Sequence, residues 1–553
     1  MKLRLLACLG LLLAACPAPV AAQEILDAVY PNGAPRGAEV TLTLTAKTMP
    51  DPGRLLVEGD GITPLGDVVK GSVKVRIASD ATPGVRQLRV VGAKAATTPR
   101  PFVIGELPER AEKEPNDRAD QADVVTSLPV VLNGTLITRA EIDVYRVTLK
   151  KGECLVVAGE SRVLGAPTNL LVRVRDRALR ELLVQMDYRT RDPLLGFTAP
   201  ADGDYFVELQ EVMNNYSNLT AAYVYRVVLT TGPWVDYGFP LGAQRGVSTA
   251  ITFRGWNLGG QPGPGEVVET VEIPLEAGSP YRLTAGGAQN RVDLAAGNAP
   301  ELTEEETDQS GPPSVVVPVP VVANGTFGFR GDRDTYQFAA KKGEVLLLNV
   351  NARELQSVAD AVLTLKDATG KVLQTVDDGG RRGRGASRDP ELLWTPPADG
   401  TYSITLNDVA LGSRGGPAFY YRLSIAPPVP VLRVTGPAPT TVLKPKEKVE
   451  IPLTVQYGDL TGPVQIEAEG LPEGVTAASL TIAAAPSRSG SSEVKLVLQA
   501  GPDLKPGAAV FRIRARSGEQ QTEAEAGWVL SADRSGTLAE GTTRGLVLLT
   551  PSP

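Results

Sequence analysis

The chain repeats itself in register. Asn133-Gly134-Thr135 returns as Asn324-Gly325-Thr326, Asp143-Val144-Tyr145 as Asp334-Thr335-Tyr336, Lys150-Lys151-Gly152-Glu153 as Lys341-Lys342-Gly343-Glu344, and Asp176 as Asp367, all at one constant offset. Pro200-Ala201-Asp202-Gly203-Asp204-Tyr205 is answered by Pro397-Ala398-Asp399-Gly400-Thr401-Tyr402, and Tyr225-Arg226 by Tyr421-Arg422. Self-similarity on this scale makes each copy a folding unit with its own core. A shorter repeat precedes each long one: Pro31-Asn32-Gly33-Ala34-Pro35-Arg36-Gly37 matches Pro240-Leu241-Gly242-Ala243-Gln244-Arg245-Gly246. The order is therefore short, long, short, long. Pro427-Pro428-Val429-Pro430 then reads as a stiff linker into a fifth unit.

Local pattern sets the fold class. Glu39-Val40-Thr41-Leu42-Thr43-Leu44-Thr45 and Tyr225-Arg226-Val227-Val228-Leu229-Thr230 place β-branched residues at period two, which suits a pleated, half-buried surface. With 57 Gly and 45 Pro punctuating such runs, the expectation is an all-β chain of tandem β-sandwich modules with little helix. The expected units are 24–104, 105–232, 233–300, 301–427 and 428–530, with 531–553 as a C-terminal tail.

The first 22 residues read as a secretory signal: Lys2 and Arg4, an apolar run from Leu5 to Ala15, then a small-residue cleavage site at Val20-Ala21-Ala22. The expected location is extracytoplasmic. Leu13-Ala14-Ala15-Cys16 also resembles a lipobox, so a lipid anchor at Cys16 is the one expected route to a membrane. Cleavage after Ala22 leaves Cys154 as the single cysteine, read as a buried strand residue. The net charge of −7 offers no footprint for nucleic acid. The chain has no histidine, which removes Ser-His and Cys-His nucleophile pairs and histidine-based metal centres. Oxygen-ligand cation binding and carboxylate-pair hydrolysis stay open.

The long repeats resemble bacterial pre-peptidase C-terminal domains in their Glu-x-Glu-Pro-Asn-Asp opening, Asn-Gly-x, Asp-x-Tyr and Pro-x-Asp-Gly-x-Tyr motifs. The short ones are similar to immunoglobulin-like TIG domains, and the last unit to a generic immunoglobulin-like sandwich. The resemblance implies a jelly-roll-like sandwich for each long unit and, by analogy with related collagen-binding domains, calcium. The opening Glu112-Lys113-Glu114-Pro115-Asn116-Asp117 packs four oxygen-bearing side chains into six residues. The implied ligands are Glu112, Glu114, Asn116, Asp117 and Asp143, a donor set that fits the flexible all-oxygen shell of calcium. Aligned on Asn324, the second copy sets Thr303, Glu305, Thr307 and Asp308 against the first four, so it is expected to hold no calcium or only a weak site.

Other motifs carry less. Arg381 to Arg388 reads as an exposed hairpin, Arg330-Gly331-Asp332 as part of a turn, Gly259 to Gly265 as a loop, and Trp394 as core. Asn133 and Asn324 read as turn residues. No catalytic apparatus is visible, so the expected function is non-catalytic binding or scaffolding of an envelope protein or polysaccharide. The competing readings are an accessory or maturation chain of a secreted peptidase and a carboxylate-dependent glycoside hydrolase.

Overall fold

The computed structural model describes residues 24–550, apart from 93–94, 139, 189–191, 213–221, 306–314, 380–388, 411, 437–439, 459, 461, 484–489 and 530–539. The first 23 residues with Cys8 and Cys16, the arginine run 381–388 and the residues Thr307 and Asp308 lie outside the described residues. Everything regular is strand, apart from three single-turn 3₁₀ segments, and the strands form pairs of sheets closed over separate cores. Among the described residues no helix is long and apolar enough to cross a membrane.

The second and fourth units match strand for strand. In the second, one sheet orders Asp123–Val125, Asp143–Leu149, Gly203–Glu211, Leu170–Arg175 and Glu181–Gln185. Its other sheet orders Leu194–Thr198, Cys154–Gly159, Val224–Thr230, Val130–Thr135 and Glu109–Ala111. The fourth unit repeats both orders from Glu301–Thr303 to Tyr420–Ala426. Alternate residues of the two sheets fill the core between them, as with Tyr145, Val147, Val207 and Leu209 of one sheet and Leu155, Val157, Val227 and Leu229 of the other. Such alternation is what period two requires when one face is buried. Trp394 joins the fourth core edge-on to Tyr402, with ring centroids 4.6 Å apart. Cys154 is buried, and burial pushes its thiol pKa up.

The first unit has two four-stranded sheets, and the third has two three-stranded sheets around a small core from Val235 to Ala296. The fifth has two six-stranded sheets, and its boundary differs from the sequence expectation. Leu546–Thr550 pairs with Gly507–Ser517 on one side and Thr440–Val442 on the other, so this part of the expected tail is an interior strand of the fifth sandwich. The run Leu546-Val547-Leu548-Leu549 is apolar without alternation because both its faces are covered. That uniform pattern is why period-two reading passes it over.

The units also pack on one another. Trp234 covers Val131, Val156 and Val228 with Trp256 alongside, joining the second and third units. Tyr237, Leu241 and Tyr420 join the third and fourth. Asn133 and Asn324 sit inside strands, not in turns, and each is buried. Their side-chain oxygens accept from the backbone N–H of Asn32 and Leu241, at 3.0 and 3.2 Å. The repeated asparagine is thus the pin between each short unit and the long unit it precedes.

Candidate metal centre

The site begins with a glycine. Across the antiparallel ladder Gly134 faces Tyr225, and a Cβ at Gly134 would lie 2.1 Å from the Tyr225 hydroxyl and 2.4 Å from Glu112 Oε2. The missing side chain lets the phenol fold over the strand and meet the acidic opening. Tyr225 Oη donates toward Asp143 Oδ2 at 2.6 Å and lies 2.9 Å from Glu112 Oε2, while the Tyr145 hydroxyl is 2.6 Å away. Glu112 Oε1 accepts from the Thr135 N–H at 2.9 Å. Its own N–H donates to the Asn133 carbonyl at 2.8 Å, which continues the parallel edge pairing of Glu109–Ala111.

The remaining residues close around Asp143, which is fully buried. Single carboxylate oxygens of Glu112, Glu114 and Asp143 lie within 4.8 Å of one another, and so do those of Asp117, Glu141 and Asp143. Asp143 belongs to both groups. The Asn116 carbonyl accepts from the Val144 N–H at 2.9 Å, and this holds the opening against the Asp143 strand. The Asn116 amide meets Glu114 Oε2 and Asp143 Oδ1 at 3.2 and 3.3 Å. Turned so that its nitrogen faces them, the amide donates its N–H groups to both carboxylates. The structure thus brings together all five residues singled out in the sequence.

Burial and mutual repulsion raise the carboxyl pKa values in this cluster. Burial pushes Glu112 up to about 7, with part of the rise offset by hydrogen bonds, first from Tyr225. Burial, and then the Glu112 charge, raises Asp143 well above the carboxylate range. Glu114 is raised by burial and by the neighbouring Asp117, Glu141 and Asp123 charges. Among the described residues no lysine or arginine forms an ion pair with Glu112, Glu114, Asp117 or Asp143. Converging carboxylates with no basic partner either hold protons or share a cation.

The fourth unit corrects the sequence alignment by one residue. Glu304, not Thr303, stands in the place of Glu112: its N–H donates to the Asn324 carbonyl at 2.9 Å, and its Oε2 lies 3.3 Å from the Tyr421 hydroxyl. Tyr421 also donates to Asp334 at 2.7 Å, with Tyr336 2.7 Å behind it. The stretch from this glutamate to its asparagine is one residue shorter in the fourth unit, Glu304 to Asn324 against Glu112 to Asn133. In sequence Glu306 and Asp308 then fall in the register of Glu114 and Asn116, outside the described residues. Gln309, likewise outside the described residues, falls in the register of Asp117.

Sequence reasoning missed the tyrosines. Tyr145, Tyr225, Tyr336 and Tyr421 were visible as repeated letters, and their shared recurrence with Asp143 and Asp334 was the signal. It also missed Tyr30, which reaches from the first unit to donate to the Asn133 carbonyl at 3.2 Å. Burial raises the Tyr30 pKa, and so do the charges of Glu112, Asp143 and Glu114, which places the acidic cluster at the joint between the first two units. The Arg330-Gly331-Asp332 tripeptide offers no free carboxylate, because Asp332 accepts from the N–H groups of Gly328 and Arg333.

No family model matches the chain, and no curated protein matches it in sequence. Among solved structures it is similar to the pre-peptidase C-terminal domain of a collagenase from Bacillus anthracis, at 12% identity and a TM-score of 0.16, covering 21% of this chain and 99% of that one. Trypsin-activated alpha-2-macroglobulin from Escherichia coli aligns over 97% of this chain and 49% of its own, at 11% identity and a TM-score of 0.14. The four N-terminal immunoglobulin domains of Dscam1 align over 91% and 99%, at 10% identity and a TM-score of 0.18.

Proposed function

We propose that this chain is a non-catalytic extracytoplasmic binding or scaffolding protein, an array of β-sandwich modules in which calcium stiffens the joint between the first and second units. The observation that carries the reading is the sharing of Asp143 by two carboxylate triads beside a tyrosine supplied by the preceding unit. Calcium takes six to eight oxygens in flexible geometry, and Glu112, Glu114, Asn116, Asp117 and Asp143 supply carboxylate and amide oxygens of that kind. The partners this reading favours are envelope proteins or polysaccharides, met by loops and sheet faces. The hydrolase reading needs two carboxylates facing a substrate across a cleft. Asp143 is buried beneath Tyr225 and Tyr145, and that arrangement favours a structural role over catalysis.

A cation bound only by the folded chain stabilises it by RT ln(1 + [L]/Kd), about 2.7 kcal/mol at a hundredfold excess over Kd. Amide hydrogen exchange of the full-length chain in millimolar calcium should therefore show stronger protection across 112–117 and Asp143–Leu149 than in chelator. Asp117→Ala, at an exposed position, should remove most of that difference without unfolding the unit. Equal exchange in calcium and chelator would refute the calcium reading.

A further inference from the structure

The first unit is held on two sides. On one it meets the second unit through Tyr30 and Asn32. On the other it meets the far end of the chain. Leu546–Thr550 turns Leu546 and Leu548 into the fifth core, while Val547 and Leu549 pack against Val91, Ala96 and Leu56 of the first unit. This is the period-two division of one strand between two hydrophobic clusters.

The polar contacts at this face are equally specific. Arg89 is 1% exposed, and its guanidinium donates to Thr543 Oγ1 at 2.9 Å and to the Gly545 carbonyl at 2.8 Å. Glu58 lies beside it at 3.5 Å and accepts from the Gly545 N–H at 2.9 Å. A Cβ at Gly545 would lie 2.9 Å from the Glu58 carboxyl carbon and 3.2 Å from Val510 Cγ1, so the two units approach closely here. Arg54 donates to the Ala508 carbonyl at 3.2 Å. Burial pulls the Arg89 pKa down to about 10, partly countered by Glu58, a charge that needs its polar partners to remain in a dry interface.

By contrast, among the described residues no side-chain hydrogen bond, ion pair or apolar cluster joins the fourth unit to the fifth. Their connection is the proline-rich linker, where Val429 is 67% exposed. Among the described residues, the fifth unit meets the array through this linker at one end and through the first unit at the other.

We propose that the fifth unit is a latched flap, and that the face of the first unit formed by Leu56, Arg89, Val91 and Ala96 is a docking surface whose resident occupant is the chain's own last strand. Docking closes the array into a ring. Release swings the fifth unit out on its proline tether and bares two matching apolar faces, one on each terminal unit.

The test is small-angle scattering of the full-length chain, read together with hydrogen exchange. Val547→Asp alters only the outward face of the last strand, and Leu56→Asp alters the opposite side of the contact in a different unit. Each should lengthen the maximum dimension by roughly 20–30 Å, about the span of one 100-residue unit. Exchange should rise in Arg54–Glu58 and Leu546–Thr550, while the core strands Glu39–Ala46 and Lys448–Gly458 stay protected. Val316→Asp, at a 75% exposed site elsewhere, should change nothing. If Val547→Asp also deprotects Lys448–Gly458, the fifth unit itself has unfolded and Leu56→Asp decides. A wild-type chain already extended in solution, or a Leu56→Asp chain as compact as wild type, would overturn the proposal.

Discussion

A single hydrogen atom at Gly134 decides whether the acidic opening can meet its tyrosine, and the same holds at Gly325, where a Cβ would lie 2.2 Å from the Tyr421 hydroxyl and 2.4 Å from Glu304 Oε2. Overpacking of this kind costs about 1–3 kcal/mol, or more where the neighbours cannot yield. Gly134→Ala should therefore raise hydrogen exchange across Val130–Thr135 and Val224–Thr230 in the full-length chain, even in chelator. Gly325→Ala should do the same across Val321–Thr326 and Tyr420–Ala426. Unchanged protection would mean that the phenol has another place to go. The repeated Asn-Gly-Thr was legible as a motif, but its reason was not, because Tyr225 lies far along the chain from Gly134 and only strand pairing sets one over the other. The same distance explains the slip onto Thr303: no single-chain alignment shows that a phenol hydroxyl, not the count from Asn324, selects Glu304.

Strands were the most legible level. Thr-Leu alternation in Glu39–Ala46 alone assigns Leu42 and Leu44 to a core and Thr41 and Thr43 to solvent, as observed. The failures came where both faces are covered, in Leu546–Thr550, and where a polar residue is buried within a strand, as at Asn133 and Asn324. Strand register also builds the proton-sensitive cluster of the fourth unit. Asp334 and Tyr336 lie on one sheet and Tyr421 on the other, and Glu304 and Asp332 also face the group. Burial first, and Glu304 second, push Asp334 from the ordinary 3.8 up to about 10. A folded-state value above the unfolded one means the native unit holds the proton more tightly. That stabilisation is complete below about pH 4 and is lost as pH rises toward 10. In chelator, the wild-type fourth unit should melt at progressively lower temperature from pH 7 to 10 by scanning calorimetry of the whole chain. Asp334→Asn, neutral throughout, should flatten the curve. Parallel pH profiles for the two proteins would rule out a retained proton at Asp334.

At the scale of the whole molecule, repeats and alternation foretold tandem sandwiches, and the structure adds how they hold one another. The asparagine pins, the Trp234 contact and the closing contact through Arg89 depend on the relative placement of units, which no local pattern encodes. The acidic cluster lies at one such joint, so its occupancy is the central claim. Trivalent terbium takes oxygen ligands like calcium, and tyrosines beside it can sensitise its emission; Tyr145, Tyr225 and Tyr30 surround this cluster. The direct measurement is tyrosine-excited terbium luminescence of the full-length chain in an Asp334→Asn background, which restricts the report to the second unit. If the cluster holds calcium, emission is saturable, calcium displaces it, Asp117→Ala weakens it and Asp143→Asn abolishes it. Emission that persists undiminished in Asp143→Asn, or that calcium does not displace, would contradict that claim.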